Sequence, residues 1–193
     1  MKIAYKHLIK HLPQKPSIDD LSDKLFQLGH EHEIQNDIFD IEFTPNRGDC
    51  LSVNGILRDI NVFYDVHLNQ DKYHDNLKKL DINFVNECKD DCTNVAFLKI
   101  EIEDNIKEYK DDLEDYFDIF DAKKINFFTD ISNYLAYETG QPTHCYDFSK
   151  LGKSIHLKEI NHDVEFETLI DKKIHLSGDN LVFFSDSELV NLA

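Results

Sequence analysis

Between Ile18 and Tyr64 the apolar residues change their period twice, and this alternation limits the possible folds more than any other feature of the chain. Ile18, Leu21, Leu25 and Leu28 recur at helical spacing. Ser17 is placed to cap that helix, Asp20 suits its positive end, and Gly29 falls where the helix should stop. Pro13 and Pro16 mark the loop before it. From Ile38 to Thr44 the period drops to two: Phe39, Ile41 and Phe43 point one way, Asp40, Glu42 and Thr44 the other. Pro45 ends that strand. The turn Pro45-Asn46-Arg47-Gly48 then leads to Asp49, the expected cap of a second helix from about Cys50 to Tyr64. Val53, Ile56, Leu57, Ile60 and Phe63/Tyr64 form its apolar stripe. Elements this short bury their apolar sides only against one another, so residues 1–65 are expected to form a small α+β domain.

Residues 66–93 are polar and of mixed charge, and read as a connector with the best boundary at Asp65–Asn76. Beyond it, alternation predicts a strand over Val95–Ile102, with Ala96, Leu98, Ile100 and Ile102 on one side. A helix is expected over Glu108–Phe120, carrying Tyr109, Leu113, Tyr116, Phe117 and Phe120 on its apolar side. Its acid run, Asp111 to Asp118, reads as a solvated face. Asp130 is expected to cap a short helix, Ile131–Tyr137, that ends near Gly140. Strands are expected at Ile155–Ile160, Phe166–Ile170 and Leu181–Ser185. Residues 94–193 therefore form a second unit, and the fold class is α+β.

Charge and composition remove several function classes. Hydrophobic residues make up 41% of the 193, enough for a core and against wholesale disorder. The net charge of −17 argues against this chain alone gripping a nucleic-acid backbone, and no DNA partner is expected. No run approaches the roughly 20 apolar residues of a membrane helix. Met1–Lys10 has no unbroken apolar stretch, so a signal peptide is not expected and a cytoplasmic location is. Cys50, Cys88, Cys92 and Cys145 are then expected as free thiols. Cys88 and Cys92 are spaced as neighbours on one turn, but His67 and His74 lie at spacings that suggest no zinc site, and no metal is expected. His30 and His32 are expected to face solvent. No glycine-rich phosphate loop, Gly-x-Ser-x-Gly elbow or His-Glu-x-x-His helix is present.

Two segments carry chemistry. The first runs from Asp40 to Ser52 around Arg47. An arginine there suits a carboxylate or a phosphate; the bland reading, favoured here, is that Arg47 ties the turn to a neighbouring acid. The second holds Thr129-Asp130-Ile131-Ser132-Asn133-Tyr134 and then Glu138-Thr139-Gly140-Gln141-Pro142-Thr143-His144-Cys145-Tyr146-Asp147. The Gly-Gln-Pro turn brings His144 back toward Ser132 and Asn133. A hydroxyl, an amide and an imidazole converging there would orient a water against an ester carbonyl. Spacing alone equally suits a capped helix and a satisfied histidine.

Both segments resemble the β subunit of bacterial phenylalanyl-tRNA synthetase. Met1-Lys2-Ile3, Leu8 and the Ser17–Gly29 helix resemble its opening, and Asp40–Asp59 resembles its strand, Thr-Pro-Asn-Arg turn and helix. Asn126–Asp147 resembles the most distinctive part of its editing domain, of the B3/B4 type, and Leu181–Ala193 resembles the lead-in to that domain's glycine-rich turn. The resemblance implies a phenylalanine–tRNA ligase of α2β2 assembly. Its partners are the α subunit and tRNA(Phe), and it uses ATP and magnesium, neither of which this region binds. It also implies hydrolysis of tyrosine mischarged onto that tRNA, a second sieve where binding alone discriminates too little. By that analogy Ser132 and Asn133 hold the amino acid or the water, and His144 contacts the ribose or assists proton movement.

The sequence departs from the family pattern in four ways. Ser132 stands where threonine is usual, and Cys145-Tyr146 where Ala-Phe is usual. The run from Gly29 to Asp40 leaves no room for the oligonucleotide-binding barrel that most of these subunits insert. The glycine-rich turn and the acid that reads the tyrosine hydroxyl would follow Ala193. The catalytic and anticodon-binding domains are absent. A cut piece or a natural truncation with a partial editing domain, inactive alone, is therefore expected. The alternative is a non-catalytic assembly module with a decayed editing pocket. A free-standing editing hydrolase would not need the first domain.

Overall fold

A computed structural model of the chain describes residues 1–66, 78–102, 108–109, 111–168 and 172–192. His67, His74 and most of the Asp65–Asn76 boundary lie outside these residues, as does the end of the strand expected at Phe166–Ile170. The chain divides into two compact units, one drawn from the spans 1–73 and 104–145 and the other from 74–103 and 146–193. Packing thus divides the chain differently from the sequence-based division at 65 and 94, because the helices after residue 110 pack with the N-terminal residues. The α+β class holds.

In the first unit, β1 (Lys2–Ala4), β2 (Glu31–Gln35) and β3 (Ile38–Glu42) form an antiparallel sheet in the order β1-β3-β2. Ile3 and Ile34 both pair with Phe39. The β2–β3 hairpin closes through Asn36 and Asp37, both in the left-handed region at φ 52° and 60°. These two residue types tolerate that backbone and its twist matches a two-residue hairpin. Two helices, α1 (Tyr5–Ile9) and α2 (Ile18–Gln27), lie between β1 and β2, and a third, α3 (Val53–Ile60), follows β3. The Ser17 hydroxyl accepts from the Asp20 N–H at 3.1 Å, and Gly29 at φ 83° lets the chain leave α2 and enter β2.

The second helix differs from its expected form. Gly48–Cys50 is a single 3₁₀ turn and α3 starts only at Val53. Its cap is Ser52, which accepts from the Gly55 N–H at 3.0 Å, and not Asp49, which is held by arginines. Val53, Ile56, Leu57 and Ile60 are fully buried with Leu8, Leu21, Leu25, Phe39 and Ile41.

The unit is completed by α4 (Asp111–Phe120) and α5 (Phe127–Thr139). The acid run on α4 is not wholly solvated: Asp115 pairs with Lys6 at 2.7 Å, and Asp112 pairs with Lys10. The cap of α5 is Asn126, whose side chain accepts from the Thr129 N–H at 3.0 Å. Asp130 is therefore in the first turn. It is fully buried, accepts from the Ile125 N–H at 3.0–3.1 Å and takes a hydrogen bond from the Tyr109 hydroxyl.

The second unit has a four-stranded sheet in the order β4-β5-β8-β9, from β4 (Asn83–Asn86), β5 (Ser154–Ile160), β8 (Asn180–Ser185) and β9 (Glu188–Leu192). Only β4 and β5 run parallel. A hairpin of β6 (Val164–Glu167) and β7 (Lys173–Leu176) stands beside it in sequence. Ile160, Leu176 and Val182 form the buried cluster of this unit. β4 falls inside the expected connector 66–93. The strand expected at Val95–Ile102 does not form: no described strand bonds to it, and Leu98 and Ile100 are 74% and 70% exposed. No helix among the described residues is long and apolar enough to cross a membrane.

Candidate functional site

α5 is held by one side and open on the other. Asp130, Tyr134 and Tyr137 recur at i, i+4 and i+7, which places them on one face. Tyr137 packs on the first unit's core and its ring meets His7 edge-on at 5.5 Å. Its hydroxyl accepts from the Ala4 N–H at 3.3 Å and lies in hydrogen-bond contact with His7 Nδ1 at 2.9 Å. The other ring nitrogen, His7 Nε2, is buried without a partner among the described residues. Burial, with Lys10 nearby, lowers the His7 pKa. Tyr134 donates to Glu138 at 2.9 Å, and Glu138 faces His11 at 3.6 Å. These partners hold the Glu138 carboxyl below its usual range, against the opposing effect of burial.

Ser132 lies on the other side, while Asn133, three residues after Asp130 and four before Tyr137, sits at the edge of the anchored side. Asn133 is exposed, and no described residue hydrogen-bonds its side chain. The helix ends at Gly140, φ 77°, whose N–H bonds the Ala136 carbonyl at 2.9 Å. The Thr139 hydroxyl accepts from the Gln141 N–H at 3.1 Å and starts the return. The returning loop brings Cys145, rather than His144, within reach of the helix: its Sγ lies 3.5 Å from the Ser132 Oγ. His144 is exposed and has no hydrogen-bond partner among the described residues. The expected convergence is thus present for the backbone of the loop, while the imidazole is not joined to Ser132 or Asn133. Cys145 is the neighbour that spacing did not single out; its position beside His144 was the available signal.

The Arg47 segment is closed on itself. Arg47 donates through Nε and Nη2 to Asp49 at 3.0 and 3.2 Å, and through Nη2 to Asp59 at 2.5 Å and Cys50 Sγ at 2.6 Å. His30 Nε2 lies 3.0 Å from the same Asp59 oxygen. Arg47 is therefore an internal tie, as the bland reading held. His30 is 3% exposed, against the expectation that it faces solvent, because the end of α2 turns it inward toward Asp59 on α3. Burial raises the Asp59 carboxyl, but the bonds from Arg47 and His30 outweigh it and hold the pKa below its usual range. Burial beside Asp59 pushes the Cys50 thiol up to about 11. All four cysteines are free: Cys50 and Cys88 are buried, Cys92 is half-buried and Cys145 is exposed. The Cys92 N–H bonds the Cys88 carbonyl at 2.8 Å, so the pair does share a turn.

A helix anchored on one side, with small polar groups and a return loop on the other, fits a domain that presents a site rather than encloses one. The B3/4 domain model matches residues 91–193, and the chain belongs to that family. The chain is also similar to proteins named phenylalanine–tRNA ligase beta subunit, as the motifs around Arg47 and Ser132 led one to expect. The Psychrobacter arcticus protein is 29% identical over 164 residues, covering 83% of this chain and 20% of the relative. The Neisseria meningitidis serogroup B protein is 27% identical over 169 residues, covering 83% and 21%. The Ehrlichia canis protein is 26% identical over 185 residues, covering 91% and 22%. The chain spans about a fifth of the length of these curated relatives.

Proposed function

We propose that this chain serves as the N-terminal part of a phenylalanine–tRNA ligase β subunit, and contributes part of a site that hydrolyses tyrosine mischarged onto tRNA(Phe). The observation that carries the reading is the B3/4 match over residues that include Ser132, Asn133 and His144, with Ser132 on the open side of an anchored helix and Asn133 exposed at its edge. On this reading the α subunit is the partner, and ATP and magnesium serve aminoacylation outside this region. Water is the nucleophile in editing. It attacks the ester carbonyl, the carbon–oxygen bond to the terminal ribose breaks, and the ribose oxygen takes a proton as tyrosine leaves. Ser132 and Asn133 hold the amino acid or the water by hydrogen bonds, and His144, exposed on the return loop, contacts the ribose or carries the proton.

The test is deacylation of Tyr-tRNA(Phe) by the complete α/β enzyme, comparing wild type with His144→Ala and Ser132→Ala. A loss of roughly 100-fold is expected for His144→Ala if it moves a proton. Equal rates for wild type and both variants would remove these residues from editing and favour the assembly-module reading. That second reading rests on the lack of any bond from His144 to Ser132 or Asn133.

A further inference from the structure

Three donor atoms of different chemistry meet inside the first unit. His30 Nε2, Cys50 Sγ and an Asp59 carboxylate oxygen all lie within 4.8 Å of one another. His30 and Cys50 are buried, and Asp59 is 16% exposed. The Asp59 Oδ2 atom is 3.0 Å from His30 Nε2 and 3.5 Å from Cys50 Sγ. Tetrahedral zinc, with bonds of roughly 2.0–2.3 Å, sets its ligand atoms roughly 3.2–3.8 Å apart. The remaining His30–Cys50 edge is no longer than 4.8 Å. Imidazole, thiolate and carboxylate are a set that zinc and cobalt accept and that magnesium and calcium do not favour.

The space between these donors already holds a positive charge. Arg47 Nη2 is 2.6 Å from Cys50 Sγ and 2.5 Å from Asp59 Oδ2, so one nitrogen of the guanidinium touches two of the three donors. Arg47 is also 31% exposed, and its Nε bond to Asp49 at 3.0 Å lies outside the trio, so its tip can leave without the side chain losing every partner. We propose that His30, Cys50 and Asp59 form a site for a divalent cation of the zinc class, which enters by displacing the Arg47 guanidinium. The exchange balances in charge. Before it, the site holds one carboxylate, one guanidinium and a neutral thiol. After it, the site holds one carboxylate, one thiolate and a divalent cation, and the thiol proton has gone to solvent. Water takes the fourth position. The cation would close the same junction of α2, the 3₁₀ turn and α3 that Arg47 closes, and would free a guanidinium at the surface.

Co²⁺ titration of the 193-residue chain tests this, because a cysteine–cobalt bond has a near-ultraviolet charge-transfer band. The expected result is a band that saturates at one equivalent and is removed by Zn²⁺. Cys50→Ser should lose the band, and the double variant Cys88→Ser/Cys92→Ser should keep it. His30→Gln, followed alongside by circular dichroism, should weaken binding while the helical signal persists, which separates ligand loss from unfolding. Arg47→Gln should bind about tenfold more tightly, since the competing cation is gone and tenfold corresponds to about 1.4 kcal/mol. No band in either wild type or Arg47→Gln would overturn the site. A band that survives Cys50→Ser would place the metal elsewhere, and unchanged affinity in Arg47→Gln would overturn the displacement.

Discussion

Replacing Gly55 with alanine gives a prediction whose sign separates two arguments. Gly55 sits in the first turn of α3, where alanine is the better helix former by about 1 kcal/mol. Propensity alone therefore predicts a more stable protein. The packing predicts the reverse. A Cβ at position 55 would lie 2.2 Å from the Asp49 carbonyl oxygen, 2.9 Å from Cys50 Cα and 3.1 Å from the Asp49 carbonyl carbon. All three are backbone atoms of the 3₁₀ turn, so no rotamer change removes the clash. Relief needs α3 and the turn to separate by roughly 1 Å, which costs about 1–3 kcal/mol as overpacking does elsewhere. The same movement stretches the 3.0 Å bond from the Gly55 N–H to Ser52, a cap worth about 1 kcal/mol. Net of the propensity gain, Gly55→Ala should destabilise by about 2 kcal/mol, a fall in melting temperature of roughly 4–8 °C for a chain of this size. Thermal unfolding followed by circular dichroism measures it. Gly48→Ala is the control: no atom lies within 4 Å of its added Cβ, so its effect should stay within about 0.5 kcal/mol. A Gly55→Ala protein that melts at or above wild type would refute the close-approach argument.

The remaining predictions concern groups buried in the first unit. His7 is held neutral, so the unfolded chain binds the extra proton below its ordinary value of 6.5 and stability falls as pH drops through that point; His7→Phe should flatten this part of a stability–pH profile. Glu138 has a lowered pKa, so its contribution is present above its ordinary value of 4.5 and is lost as pH falls through the lowered one; Glu138→Gln should remove that second, more acidic fall. Asp130→Ala should leave the Ile125 N–H and the Tyr109 hydroxyl without their acceptor and cost about 3 kcal/mol, read from the urea midpoint. With a thiol reagent under native conditions, Cys145 should react first and Cys92 more slowly, while Cys50 and Cys88 wait for unfolding; modification of Cys50 as fast as Cys145 would contradict its burial.

The parts of the fold legible from sequence were those whose stabilisation is local or periodic. Ile18–Gln27 carries its own cap, stripe and glycine stop, and it formed as read. The strand at Ile38–Glu42 alternates cleanly because one face is buried and the other is not. The misses have a common cause in tertiary partners. β2 reads Glu-His-Glu-Ile-Gln, with no buried face to create alternation, and its hairpin turn is Asn36-Asp37 without the glycine that marks most such turns. Val95–Ile102 has the alternation but no bonded neighbour among the described residues, and alternation cannot supply one. Both misplaced caps were aspartates beside a better candidate. Asp49 and Asp130 are engaged by side chains, Arg47 and Arg58 in one case and Tyr109 in the other, so a serine and an asparagine cap instead. At the candidate site, the end of the helix at Gly140 was legible because a glycine stop fixes it, whereas its start was read at Ile131 and lies at Phe127, behind the Asn126 cap. The direction of His144 was not legible, since an exposed loop side chain is set by contacts no local pattern encodes.

The anchoring of α5 bears directly on the proposed function. Hydrolysis of a bound ester needs donors fixed relative to one another before the substrate arrives, since that fixed geometry is what makes them effective. Ser132 and Asn133 gain it from the anchoring of their own helix, where Asp130, Tyr134 and Tyr137 are bound to Ile125, Tyr109, Glu138, His7 and Ala4. His144 has no such support among the described residues, and on the proposed reading the bound tRNA end orders it. The charge of the chain bears on the same reading. Two lysines of α1 and its C-terminal end are paired with acids of α4, Arg47 and Arg58 are paired with Asp49 and Asp59, and the net charge is −17. On the proposed reading, these paired lysines and arginines are not available to neutralise tRNA phosphates. A lysine that neutralises a phosphate adds about one to the slope of log affinity against log salt. Binding of tRNA(Phe) to the complete enzyme should therefore keep its salt dependence when Lys6 and Lys10 are changed to glutamine. A slope reduced by the double variant would place the backbone of the tRNA on this unit and contradict the argument from pairing.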